Sequence, residues 1–271
     1  MTPTPWRADK RLGQHFLFDP SILSRIVAGG GELRGQTVLE VGPGPGGLTR
    51  AILAAGAARL VAIDADPRSI AALRPLEAAE AGRLRLIEGD ALDLDPTTLA
   101  EGGPLTAIAN LPYNVGTELL MRWLTVPAAF RLMVLMFQRE VALRLVAAPG
   151  GAEYGRLAVM AQSMCRVERL FDLPPGAFVP PPQVSSSVVR LTPREDRPEE
   201  PQRQRLEDVS RAAFGQRRKM LRSSLSSLGV DPAALLAAAG IDPTRRAETL
   251  SLAEFAALAT ALGALRSGGT A

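Results

Sequence analysis

The chain has one cysteine, one histidine, two lysines and two asparagines in 271 residues, and each scarcity excludes something. Cys165 alone cannot form an intramolecular disulfide. With only His15 to join it, there is no cluster at metal-ligand spacing and no Ser-His-Asp triad, so no metal is expected. No segment approaches the roughly 20 consecutive apolar residues that span a bilayer, and MTPTPWRADKR carries no apolar run behind its charges. A cytoplasmic protein without a membrane partner is expected. Lys10 and Lys219 are the only lysines among 31 basic residues, so 29 are arginine, whose planar fork suits phosphate binding and base stacking. A GC-rich genome gives the same bias, so placement matters more than abundance. Arg211, Arg217, Arg218, Lys219 and Arg222 form a local basic patch without an acid in a chain of net charge only +3.

What is present is a globular composition, 46% hydrophobic and 22% charged, long enough for a large domain and a small one. From residue 37, short Val/Ile/Leu runs alternate with helical patterns, the signature of a parallel sheet flanked by helices. Strands are expected at Thr37 to Val41, Arg59 to Asp64, Arg83 to Glu88, Leu105 to Ala109 and Arg131 to Phe137. Helices are expected at Gly47 to Ala55, Pro67 to Ala79, Gly116 to Leu124 and Arg139 to Ala147. Two further strands, Arg166 to Phe171 and Ser186 to Leu191, flank LPPGAFVPPPQ, a connection too short for a parallel crossover. The sheet is therefore expected to end in one reversed strand. TPREDRPEEPQR is rich in proline and charge and reads as a linker. It separates a catalytic domain (1–193, linker 194–203) from a helical domain (204–271). Helical patterns there cover Leu206 to Ala213, Arg218 to Leu228, Pro232 to Ala239 and Ala253 to Leu262. Asp231-Pro232 and Asp242-Pro243 read as N-cap and first helical residue.

VLEVGPGPGGLT sets Gly42, Gly44, Gly46 and Gly47 between a strand and a helix, where backbone can approach a small polar ligand. The spacing also satisfies the dinucleotide fingerprint, so the glycines alone do not separate NAD from S-adenosylmethionine. Glu40 favours the second: a carboxylate there balances an ammonium or sulfonium and repels a pyrophosphate. Asp64, 22 residues after Gly42, can accept from ribose hydroxyls of either cofactor. Asp90, closing the next strand, suits an adenine amino group.

The two asparagines stand together, Asn110 and Asn114, around Asn110-Leu111-Pro112-Tyr113. The exocyclic amine of adenine is a poor nucleophile because its lone pair is delocalised into the ring. If the Asn110 side-chain oxygen and the Leu111 carbonyl accept its two N–H bonds, the lone pair is freed and no strong base is needed. Pro112 fixes the backbone so that neighbouring acceptors point outward. Tyr113 offers a face for a flipped base, worth about 1–3 kcal/mol, with Phe178 expected on the opposite face.

These residues resemble the KsgA-type 16S ribosomal RNA adenine dimethyltransferase family. The likeness runs through RLGQHFLFDPSIL, VLEVGPGPGGLT, AIDAD, IEGDALDLD, IANLPYNV, MFQREVALRL, YGRLAVMAQ, FVPPPQVSSSVVRL and FGQRRKMLRSSL. It implies a Rossmann-like α/β methyltransferase domain followed by a small helical domain. It also implies S-adenosylmethionine-dependent dimethylation of two adjacent adenosines in the 3′-terminal hairpin of 16S rRNA during small-subunit assembly. His15, Leu17, Gly42, Asp64, Asp90 and Asn110 are then cofactor contacts, and Gln14 and Phe16 part of a flap over the cofactor. Arg217, Arg218, Lys219 and Arg222 become rRNA phosphate contacts on a monomer. Two positions depart from the family pattern: His15 stands where asparagine is common, and Asp64 where glutamate is. A large-subunit rRNA resistance methyltransferase and a non-catalytic assembly factor remain alternatives. A DNA adenine methyltransferase fits less well, because Leu111 stands where those enzymes carry proline.

Overall fold

The computed structural model describes residues 14–100, 102–216 and 218–268. In chain order they form β1 (Phe16–Leu17), α1 (Pro20–Ala28), β2 (Thr37–Val41), α2 (Gly47–Ala54), β3 (Arg59–Asp64), α3 (Pro67–Ala79) and β4 (Leu84–Glu88). There follow β5 (Leu105–Asn110), α4 (Gly116–Trp123), β6 (Phe130–Gln138), α5 (Arg139–Leu145), α6 (Arg156–Met164), β7 (Cys165–Leu173), β8 (Phe178–Val179) and β9 (Ser186–Pro193). The last helices are α7 (Gln202–Gly215), α8 (Leu221–Ser224), α9 (Pro232–Ala238) and α10 (Leu252–Gly268).

Seven strands form one sheet in the order β4-β3-β2-β5-β6-β9-β7, the Rossmann-like arrangement expected. Its central strands are buried on both faces: Val38, Leu39, Ala107, Ile108, Val134 and Leu135 have no exposed surface. This explains why they read as unbroken apolar runs. Edge strand β4 alternates instead, with Leu84 and Leu86 inward and Arg85 exposed. The reversed strand is β9, antiparallel to β6 with Met133 opposite Leu191, but it does not end the sheet. It lies one place in from the edge and β7 takes the edge, because the short 174–185 connection folds β9 back between β6 and β7.

Strand order reverses at β2, which pairs in parallel with β3 on one side and β5 on the other. The carboxyl ends of β2, β3, β4 and β5 meet at this switch point, where open sheets of this kind bind ligands. Proline and aspartate set two of the flanking helices. Asp19 and Asp66 cap α1 and α3 by accepting from Ser21 N at 2.8 Å and Arg68 N at 3.0 Å, each followed by proline at the first helical position.

The chain divides into two compact units. The first holds the described residues through Ala142 and Val167–Pro193; the second holds Leu143–Arg166 and the chain from Arg194. Residues 143–166 therefore group with the helical unit, not with the catalytic domain to which the sequence assigns them. The reason is aromatic: Tyr154 meets Phe214 edge-on at 6.1 Å, and Phe214 stacks on Phe255 at 5.7 Å. Arg156 adds an ion pair to Glu207 at 2.9 Å. The expected linker is shorter by two residues, since α7 starts at Gln202 and Arg203 is buried between Glu200 and Glu207. The helix expected at 218–228 begins only at Leu221. Arg218 and Lys219 lie in a turn, and Met220 is extended at ψ 155° before the helix starts.

Candidate active site

The glycine loop leaves β2 along a path that only glycine takes without strain. Gly42 has φ 69° and donates to the Ile63 carbonyl at 2.9 Å, which ties the loop to β3. At Gly44, φ 53°, an added Cβ would lie 2.6 Å from the Phe16 ring. The loop and the N-terminal strand thus close on each other, and they wall a cavity of about 200 Å³ lined also by Asp64, Asp90 and residues 110–115.

Asp64 sits at the end of β3, accepting from Gly44 N at 3.3 Å and Asp66 N at 2.9 Å. Burial pushes its carboxyl above the ordinary range against the pull of those bonds. Asp90 accepts from Leu92 N at 2.9 Å, an Asx turn that aims the carboxylate from the end of β4. Gln14 donates to Asp66 at 2.9 Å and pins the flap beside the loop. Asp66 itself is held at about 2, chiefly by the Arg68 guanidinium.

Asn110 ends β5, and its Nδ2 donates to the His15 carbonyl at 2.9 Å. A carbonyl only accepts, so the amide must present N–H there and turn Oδ1 the other way. The Pro112 carbonyl is taken by Val115 N and Gly116 N at 3.2 and 3.0 Å, where α4 begins. The Leu111 carbonyl accepts no bond among the described residues. Asn110 Oδ1 and the Leu111 carbonyl are therefore two acceptors on adjacent residues that line the cavity. Tyr113 is fixed by its hydroxyl on Ser186 Oγ at 2.5 Å, and burial raises its pKa. The His15 imidazole stacks on the Tyr113 ring with centroids 5.5 Å apart and donates Nδ1–H to the Pro180 carbonyl at 2.8 Å. Pro180 and Ser186 were missed in the sequence, and the only signal for them is that both belong to FVPPPQVSSS.

Three expected site residues lie elsewhere. Phe178 is 2% exposed in the core of the first unit and does not line the cavity. β8 pairs with β1 so that Phe178 faces Leu17, and both turn inward, while Val179 on the other side is exposed. Glu40 is also fully buried, on the face of β2 opposite the cavity-lining Val41. Burial pushes its carboxyl up to about 8, with Thr49 opposing and Asp64 reinforcing the shift. Leu17 lines a smaller recess behind the loop, beside Gly42 and Asn110. In the second unit Arg218, Lys219 and Arg222 are exposed, and Arg217 lies outside the described residues. Among the described residues no metal-holding group of acids, histidines or cysteines occurs, and no helix is long and apolar enough to cross a membrane.

The profile of the ribosomal RNA adenine dimethylase family matches residues 6–263. The chain belongs to this family. It is 55% identical over 266 residues to the ribosomal RNA small subunit methyltransferase A of Azorhizobium caulinodans, covering 97% of this chain and 91% of that protein. It is 56% identical over 258 residues to the enzyme of the same name from Afipia carboxidovorans, covering 94% and 91%. Among solved structures, a dimethyladenosine transferase from Plasmodium falciparum superposes with TM-score 0.77 at 25% identity, covering 90% of this chain and 96% of that one. The 23S rRNA methyltransferase ErmE superposes with TM-score 0.68 at 25% identity, covering 92% and 99%. An rRNA adenine dimethylase with this fold uses S-adenosylmethionine, and the cavity fits that group: the backbone of Gly42 and Gly44 lines it beside the carboxyl-bearing Asp64 and Asp90.

Proposed function

We propose that the chain is the S-adenosylmethionine-dependent dimethyltransferase of two adjacent adenosines in the 3′-terminal hairpin of 16S rRNA, acting in the cytoplasm on the assembling small subunit as a monomer. The observation that carries the chemistry is the oriented Asn110 amide. With Nδ2 spent on the His15 carbonyl, Oδ1 and the Leu111 carbonyl accept the two N–H bonds of an adenine amine and withdraw its lone pair from the ring. Tyr113, held by Ser186, gives the base a rigid face. S-adenosylmethionine would supply the electrophilic methyl group, its sulfonium S–CH3 bond breaking as the N6–CH3 bond forms, with S-adenosyl-L-homocysteine as the leaving product. Gly42 and Gly44 would pass along its methionyl part, Asp64 would take the ribose hydroxyls and Asp90 the adenine amino group. His15 would close the site from the flap, with Leu17 packed in the recess behind the glycine loop. The methylated amine releases its proton to water, so no strong base is demanded of the protein.

The target is supported by the small-subunit enzymes at 55% identity; the weaker likeness to ErmE keeps 23S rRNA as the competing substrate in any assay. Asn110→Ala removes one acceptor without touching the basic surface of the second unit. Methyl transfer to unmodified small subunits should fall by at least about a hundredfold, a loss of the size seen when one oriented transition-state contact is removed. Filter binding to the same subunits should persist. Retention of near-normal transfer by this variant would remove Asn110 from the reaction.

A further inference from the structure

We propose that the His15 side chain is a placeholder for the target base, a positioning residue that holds the Tyr113 face until adenine displaces it. The inference rests on the functional reading above and extends it to a side chain which that reading uses only as a cofactor contact.

Three contacts converge on this residue. Its carbonyl takes the Asn110 amide at 2.9 Å, its Nδ1–H bonds the Pro180 carbonyl at 2.8 Å, and its ring lies on Tyr113 with an interplanar angle of 30°. His15 thus has its backbone carbonyl on Asn110 and its imidazole on Tyr113, so the ring covers a face of Tyr113 on which a base must stack if its amine is to reach Asn110. A base between the two rings needs about 7 Å of centroid separation, twice the ~3.5 Å contact distance of stacked carbons. The observed 5.5 Å leaves no room for a sandwich. On that face of Tyr113 the ring and the base are therefore alternatives, and a base that stacks there requires the imidazole to swing off.

The carbonyl and the ring are separable. Any residue at position 15 keeps the carbonyl that orients Asn110, whereas only an aromatic ring covers Tyr113. A placeholder lowers the apparent affinity for its competitor by the fraction of time that it is in place. An aromatic pair of ordinary strength predicts that removing the ring lowers KM for unmodified small subunits by roughly two- to ten-fold, with a smaller change in kcat.

The test is steady-state methylation of unmodified small subunits by the wild type, His15→Ala and His15→Asn. The asparagine variant keeps a donor for the Pro180 carbonyl and has no ring. A lower KM in both variants is the expected result. An unchanged KM, or a raised one that makes the imidazole a wall of the base site, overturns the proposal. A second measurement does not depend on activity. His15 is the only histidine, so its ring protons give resonances of their own, and cross-relaxation to the Tyr113 ring protons is expected in the wild-type protein. Its absence overturns the proposal whatever the kinetics show. Failure of the wild type to methylate adenine would instead overturn the functional reading, and the two failures are distinguishable.

Discussion

Asn110 has two polar amide atoms, and the His15 carbonyl takes Nδ2, which leaves Oδ1 for the adenine amine of the proposed reaction. That fact was half legible in the sequence. The spacing of Asn110, Leu111, Pro112 and Tyr113 announced an acceptor pair beside an aromatic face. The contact that orients the amide comes from 95 residues away and has no local signature. Glu40 shows the opposite case: its position before the glycines suggested a charge for the cofactor, but strand alternation turns it into the core. Its folded pKa of about 8 lies above the ordinary 4.5, so the folded state holds a proton that the unfolded state loses between those values. The group's contribution to stability is therefore complete below about pH 4.5 and is lost as pH rises toward 8. Glu40→Gln should gain Tm relative to the wild type as pH is raised from 5 to 8 in thermal melts. A constant difference across that range would mean that Glu40 is ionised in the fold.

At the scale of elements, β2, β3 and α3 were readable to the residue because each carries its own boundary signals: an apolar run ending in glycine, another ending in Asp64, and an aspartate cap before Pro67. The two-residue strands β1 and β8 were not, since neither exists without the other and their partners, Phe16 with Val179 and Leu17 with Phe178, are far apart in the chain. That pairing also decides the fate of Phe178, which explains why the expected second stacking face failed. α6 was missed because Arg156–Met164 starts at Gly155 without a side-chain cap and its contiguous apolar run lacks a clean helical stripe. α9 is the useful contrast. Asp231 accepts from Ala233 N and Ala234 N at 3.1 and 3.2 Å, as Asp231-Pro232 foretold. Asp231→Ala should cost about 0.5–2 kcal/mol in denaturant unfolding with the m-value unchanged. No loss at all would show that α9 is held by Leu235 and Leu236 alone.

On the scale of the whole molecule, charge and cavity lie in different units. The cavity and its acceptors belong entirely to the first unit, and the exposed Arg218, Lys219 and Arg222 to the second. The sequence placed the boundary near residue 194 from proline and charge. It could not show that 143–166 leave the first unit, because that depends on the packing of Tyr154 against Phe214. If the basic turn binds rRNA phosphates, neutralising any one of these residues should flatten the log–log salt dependence of subunit binding by about one unit and leave cofactor binding intact. An unchanged slope would make that residue an ordinary solvated charge. One measurement tests the target and the chemistry together. The protein is incubated with labelled S-adenosylmethionine and either unmodified small subunits or naked 23S rRNA, and the labelled nucleosides are mapped. N6,N6-dimethyladenosine at two adjacent positions near the 3′ end of 16S rRNA is the predicted result; label only in 23S rRNA, or in no adenine of either, would contradict it.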